Sequence, residues 1–149
     1  MEIDFRELSY KLEKLDDDSK PRWGKMTSQH MLEHLIQVLR CSNGKLVLKC
    51  INPVEKLPVL KRFLLSSREL PKNFVNPIIG EGLIPLEYAN FGDALAVLRE
   101  EIVEHDKFYD EKPDVKTINP TFGELNYDEW EVFHFKHFTH HLKQFGVIK

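Results

Sequence analysis

A chain of 149 residues, 42% hydrophobic and 30% charged, has the size and balance of one globular domain spanning residues 1–149, with a core that needs no staples. Its net charge of -3 supplies no positive field for sequence-independent nucleic-acid binding, so no nucleic-acid partner is expected. No stretch approaches the roughly 18 apolar residues of a membrane span, so no membrane partner is expected.

Residues 1–15 are acidic and amphipathic, unlike a signal peptide, and the spacing of Cys41 and Cys50 fits no zinc or redox motif. A cytoplasmic location with reduced thiols is the corresponding expectation.

Helix signals dominate the pass along the chain. Residues 4–15 carry Phe5, Leu8, Leu12 and Leu15 on one stripe and predict a first helix, stopped by the polar run that ends at Pro21. Thr27 is the expected N-cap of a second helix, and Asn43-Gly44 its stop. Residues 53–66, opened by Pro53 and carrying Val54, Leu57, Leu60 and Leu64, predict a shorter helix. Lys56, Lys61 and Arg62 read as its solvated face. Residues 67–89, with three prolines and two glycines, predict a long irregular connection.

A third long helix is expected over residues 91–108, with Phe91, Leu95, Leu98 and Ile102 spaced for a seam. Pro113 and Pro120 mark a further connection. Asn126, with Glu129 three residues on, forms a capping box for a last helix that runs to Gln144 before Gly146. The predicted class is all-α, a four-helix bundle with one extra short helix.

Seven histidines stand at positions 30, 34, 105, 134, 137, 140 and 141. On a helical wheel with His137 at zero, His141 lies at about +40°, Trp130 at about +20° and His134 at about +60°. Phe133, Phe138 and Phe145 flank this stripe, while Lys136, Thr139 and Lys143 fall on the far side. Several inward imidazoles need something that satisfies their nitrogens jointly, and a metal ion does so. His34 lies mid-face on the second helix, among Met31, Leu35, Val38 and Cys41. His34, His137 and His141 are therefore the candidate metal ligands, in an open site with positions left for water or substrate. His30, His134 and Gln144 are candidates for the surrounding shell, with His30 also a candidate fourth ligand. His105 is expected exposed rather than lining the cavity, His140 at the surface or an interface, Glu33 a surface carboxylate and Cys41 a buried hydrophobe. No catalytic base stands out.

Two segments carry a family resemblance. One is Trp23-Gly24-Lys25-Met26-Thr27-Ser28-Gln29 with His34 beyond it. The other is Asn119-Pro120-Thr121-Phe122-Gly123-Glu124-Leu125, then Trp130, then His137 through Gly146. From about residue 20 onward the chain resembles the DinB/YfiT-like superfamily of metalloenzymes, and within it a branch mostly of unknown function. The resemblance implies an up-down-down-up four-helix bundle, often dimeric. It implies one metal histidine from the second helix and an i, i+4 pair from the last, falling on His34, His137 and His141. It also implies zinc or nickel, and chemistry among thiol-dependent transferases and isomerases. Two positions depart from the branch: Asn119 stands where a histidine is common, and His30 where a neutral polar residue is expected.

Three readings follow. The first is a metal-dependent enzyme, a hydrolase or low-molecular-weight-thiol transferase, acting on a small molecule. The second is a non-enzymatic metal- or small-ligand-binding module acting through a homodimer. In the third, the histidines bond one another without metal.

Overall fold

A computed structural model describes residues 4–72, 74 and 83–149. Among these the fold is mostly helical, with five α-helices and one small two-stranded sheet. That agrees coarsely with the all-α expectation, to which the small sheet is an addition.

Helix α1 covers Phe5–Tyr10 and is capped by the Asp4 carboxylate on the Arg6 N–H; it tightens into a 3₁₀ turn over Lys11–Lys14. The predicted single helix is therefore two pieces, buried through Phe5 and Leu12. Helix α2 spans Ser28–Ser42 with the Thr27 hydroxyl as its cap. Pro53 precedes a 3₁₀ turn, Val54–Lys56, that leads into α3, Leu57–Leu65. Val54 was expected on the inner stripe but is 78% exposed, because the α-helical turn begins only after it. Part of the predicted irregular connection, residues 73 and 75–82, lies outside the described residues; its flanks have no helix or strand.

Helix α4, Phe91–Glu111, starts at the Asn90 cap and runs along α2. Between the prolines lies a hairpin, β1 (Thr117–Asn119) and β2 (Gly123–Leu125), paired antiparallel with Ile118 opposite Glu124. The Asn119 side chain accepts from the N–H groups of Thr121 and Phe122 (2.9 and 3.1 Å), and Gly123 takes a φ of +80°, which closes the loop. Helix α5, Tyr127–Gln144, opens with the predicted capping box.

Two apolar clusters form the core. Phe5, Met31, Leu35, Leu98, Phe138 and Leu142 join α1, α2, α4 and α5. Val38, Leu64, Tyr109, Phe122, Trp130 and Phe133 join the hairpin and α3 to α5. Because α3 covers the side of α5 that the wheel assigned to solvent, Lys136 is buried rather than exposed. Its ammonium donates to the carbonyls of Phe63, Ser66 and Arg68 at 3.2, 2.8 and 2.5 Å, satisfying the open end of α3.

Candidate metal centre

Residues 34 and 137, remote in sequence, meet where α2 crosses α5. The His34 Nε2 lies 2.8 Å from the His137 Nε2, which lies 3.1 Å from the His141 Nε2. All three rings are buried. Among the described residues these three histidines form the one group whose donor atoms lie within 4.8 Å of one another.

The protonation of these rings follows from their partners. Burial, followed by the nearby His140, lowers the His34 imidazole to about 3. Burial likewise holds His137 and His141 well below the ordinary histidine range, with the neighbouring imidazoles adding to it. All three are neutral at pH 7. The Gln144 amide N–H₂ donates to the Trp23 carbonyl at 3.1 Å, which leaves the amide oxygen facing the His141 Nδ1 at 2.7 Å. An amide oxygen only accepts, so the His141 proton sits on Nδ1 and its Nε2 presents a lone pair.

His137 must then serve two neighbours through one nitrogen. If its Nε2 carries a proton, the His141 Nε2 accepts it, and the same hydrogen cannot also serve His34 fully. If it does not, two lone pairs face each other at 3.1 Å. Either arrangement is electron-rich, and a cation at the meeting point satisfies it. Donors bound to one ion at about 2.0–2.1 Å lie about 3 Å apart, which matches the observed spacings. The donor set therefore fits a divalent metal. The His137 Nδ1, moreover, is buried with no hydrogen-bond partner among the described residues.

The walls are aromatic. Phe133 lies 5.2 Å from the His137 ring, and His140 stands edge-on to both His141 and Trp23 at 5.0 and 5.9 Å. Lys72 lies over the outer Trp23 face.

The other sequence candidates fall elsewhere. His30 is not in the cluster: its Nδ1 meets the Thr27 hydroxyl at 2.6 Å at the start of α2. His134 directs its Nε2 to the Ser42 hydroxyl at 3.0 Å and stacks on Trp130. His140, expected at the surface or an interface, is 9% exposed, because residues 69 and 70 and Trp23 lie against it. His105, expected exposed, is fully buried between the Glu131 carboxylate (2.9 Å) and the Ser42 hydroxyl (3.0 Å). Glu33, read as a surface carboxylate, is buried because residues 87 and 88 cross over it. It accepts from the N–H groups of Glu87 and Tyr88 and from the Gln29 amide, at 2.7, 3.3 and 2.9 Å. Cys41 is buried as expected, and burial pushes its thiol up to about 12.

Sequence reasoning missed the polar network of Arg6, Ser42, His105 and Glu131. Burial pushes the Glu131 carboxyl up, but hydrogen bonds from His105 and Arg6 outweigh it and hold the group below its ordinary value. Arg6 also reaches Asp106, which ties α1 to α4 and α5. The sequence signal for this network was a lone arginine in a short helix, which nothing distinguishes from a surface cation.

Residues 85–147 are similar to the DUF1569 family, described as a protein of unknown function. That stretch, less than half of the chain, contains His137 and His141 and leaves His34 outside. No curated protein and no solved structure matches the chain.

Proposed function

We propose that His34, His137 and His141 hold one divalent metal ion, zinc or nickel by the family resemblance since imidazole donors alone suit copper and iron as well, in a DinB-like four-helix bundle built from α1, α2, α4 and α5. On this reading the protein is a metal-dependent enzyme acting on a small molecule, as a hydrolase or a low-molecular-weight-thiol transferase. The single observation that carries it is the convergence of three buried, neutral imidazoles, with the His137 Nε2 2.8 Å from that of His34 and 3.1 Å from that of His141.

Three neutral imidazoles do not offset a bound ion's charge, so full Lewis acidity would be available to a substrate. The chain's own contributions are positional. Gln144 fixes the His141 tautomer and ring plane, and the Trp23 carbonyl fixes Gln144. Phe133 restricts the movement of the His137 ring. Glu33 is committed to backbone N–H groups, so it is not the base for this site.

The test is elemental analysis of protein purified without a histidine tag, beside His137→Ala, followed by assays against thiol conjugates, epoxides and simple esters. The expected result is one metal per chain, lost in His137→Ala, with turnover in one substrate class. Absence of any metal binding in the wild type after loading with zinc or nickel overturns the reading.

Burial favours a second reading. The three rings are only 1, 1 and 4% exposed. A metal- or small-ligand-holding module without catalysis, working as a homodimer, fits that enclosure. Its mark is a metal-loaded protein that is silent in all three assays and has a fourth protein ligand in the coordination shell.

A further inference from the structure

The segment from residue 45 to residue 68 carries six lysines or arginines and one glutamate, in a chain whose net charge is -3. Three successive pieces of it expose aliphatic and cationic side chains. In residues 46–51, exposure alternates: Val47, Lys49 and Ile51 are exposed while Leu46 and Leu48 pack on the core. The 3₁₀ turn exposes Val54 and Lys56, with Glu55 between them as the one carboxylate of the segment. On α3, Val59, Arg62 and Leu65 face out, while Leu60, Phe63 and Leu64 face in.

These pieces rest on one support, the β1–β2 hairpin. The Ile51 N–H donates to the Pro120 carbonyl and the Asn52 amide to the Thr121 carbonyl, both at 2.8 Å. Lys61 reaches the Glu124 carbonyl at 3.4 Å. Of the cations, Lys45 is paired with Glu101 and Lys61 with Glu129. Lys49, Lys56 and Arg62 make no ion pair among the described residues.

The charge decides what such a face fits. A two-fold pairing of the face on itself would bring its unpaired cations together, whereas an anionic partner complements them. The face has no tryptophan or tyrosine, and it has lysine where protein interfaces are depleted of it. Aliphatic side chains interleaved with lysine and arginine suit a surface that takes in methyl groups between negative headgroups.

We propose that the face formed by Val47, Lys49, Ile51, Val54, Lys56, Val59 and Arg62 docks the protein on an anionic lipid surface. The expectation of no membrane partner rested on the absence of a spanning segment, and adsorption needs none. This inference is independent of the histidine site.

The experiment is co-sedimentation of the full chain with vesicles of phosphatidylcholine alone, or of phosphatidylcholine with one-third phosphatidylglycerol, at low and high salt. Binding is expected only with phosphatidylglycerol, and salt should release it. The combined Lys49→Gln, Lys56→Gln, Arg62→Gln variant should bind roughly a hundredfold more weakly, about fivefold per cation. Val54→Ser with Val59→Ser should also weaken binding, and Lys107→Gln, on exposed α4 surface, should leave it unchanged. No sedimentation with anionic vesicles, equal sedimentation with both kinds, or full binding by the triple variant overturns the proposal. So does a dimer in sedimentation equilibrium that Val54→Ser with Val59→Ser dissociates.

Discussion

Gln144 carries the most consequence per atom. Its amide links a loop carbonyl to the nitrogen opposite the donor of His141, so it sets which His141 nitrogen is free to bind. Gln144→Leu removes that link and keeps the bulk. The expected outcome is a ten- to hundredfold loss of metal affinity, measured by competition with a chromophoric chelator, with little change in circular dichroism. Three of the histidine positions were legible in sequence because an i, i+4 pair and a mid-face histidine are patterns of a single helix. His105 and Glu33 were not, because burial there comes from other elements: Glu131 of α5 against His105, and residues 87 and 88 over Glu33. A wheel drawn for one helix holds no information about what lies against its far side.

At the level of elements, the clearest dependence is of α3 on Lys136. Three carbonyls at the end of α3 share that one ammonium. Burial lowers the ammonium pKa, yet the carbonyl contacts replace water around the charge. Lys136→Met should lower stability by about 1–3 kcal/mol, read as a shift in the urea midpoint without a change in slope. A second dependence joins the loop before α2 to the site. Gly24 has a φ of +84°, and a Cβ there would lie 3.0 Å from the Gln144 amide nitrogen. Gly24→Ala should cost roughly 1–2 kcal/mol from the backbone conformation. Titration with zinc should also show weaker binding, since the amide must shift. The Asn90 cap of α4 went unread; the second and last helices were readable because Thr27 and Asn126 are side-chain caps that the chain uses as written. The hairpin was not: three-residue strands are too short to show alternation, and Pro120 read only as a breaker.

Over the whole molecule, titration acts in one direction. His34, His134, His137 and His141 are held neutral by burial, so their folded pKa values lie below that of an unfolded histidine. Below about pH 6.5 the unfolded chain takes up protons that the folded chain refuses, and each such group then costs up to about 1.4 kcal/mol per pH unit. Glu101 and Glu131, held low by their cations despite burial, add the same trend below the ordinary carboxylate range. Stability of the metal-free protein should therefore fall steadily from pH 7 to pH 4, steepening in the lower half. Urea midpoints across that range check it, and a flat profile would show the histidines to be solvated. Glu131→Gln should remove about 3 kcal/mol at pH 7, because Arg6 and His105 lose their shared anion.

The two halves of the histidine cluster stand 103 residues apart along the chain. An unfolded chain, or a fragment limited to residues 85–147, brings at most the His137–His141 pair to an ion. On the proposed reading, occupancy and the native state would be one equilibrium seen from two ends: free zinc or nickel well above its dissociation constant would hold the polypeptide closed by about 1.4 kcal/mol for each tenfold excess. Starving the protein of metal would then show first as faster proteolysis, before any assay of turnover.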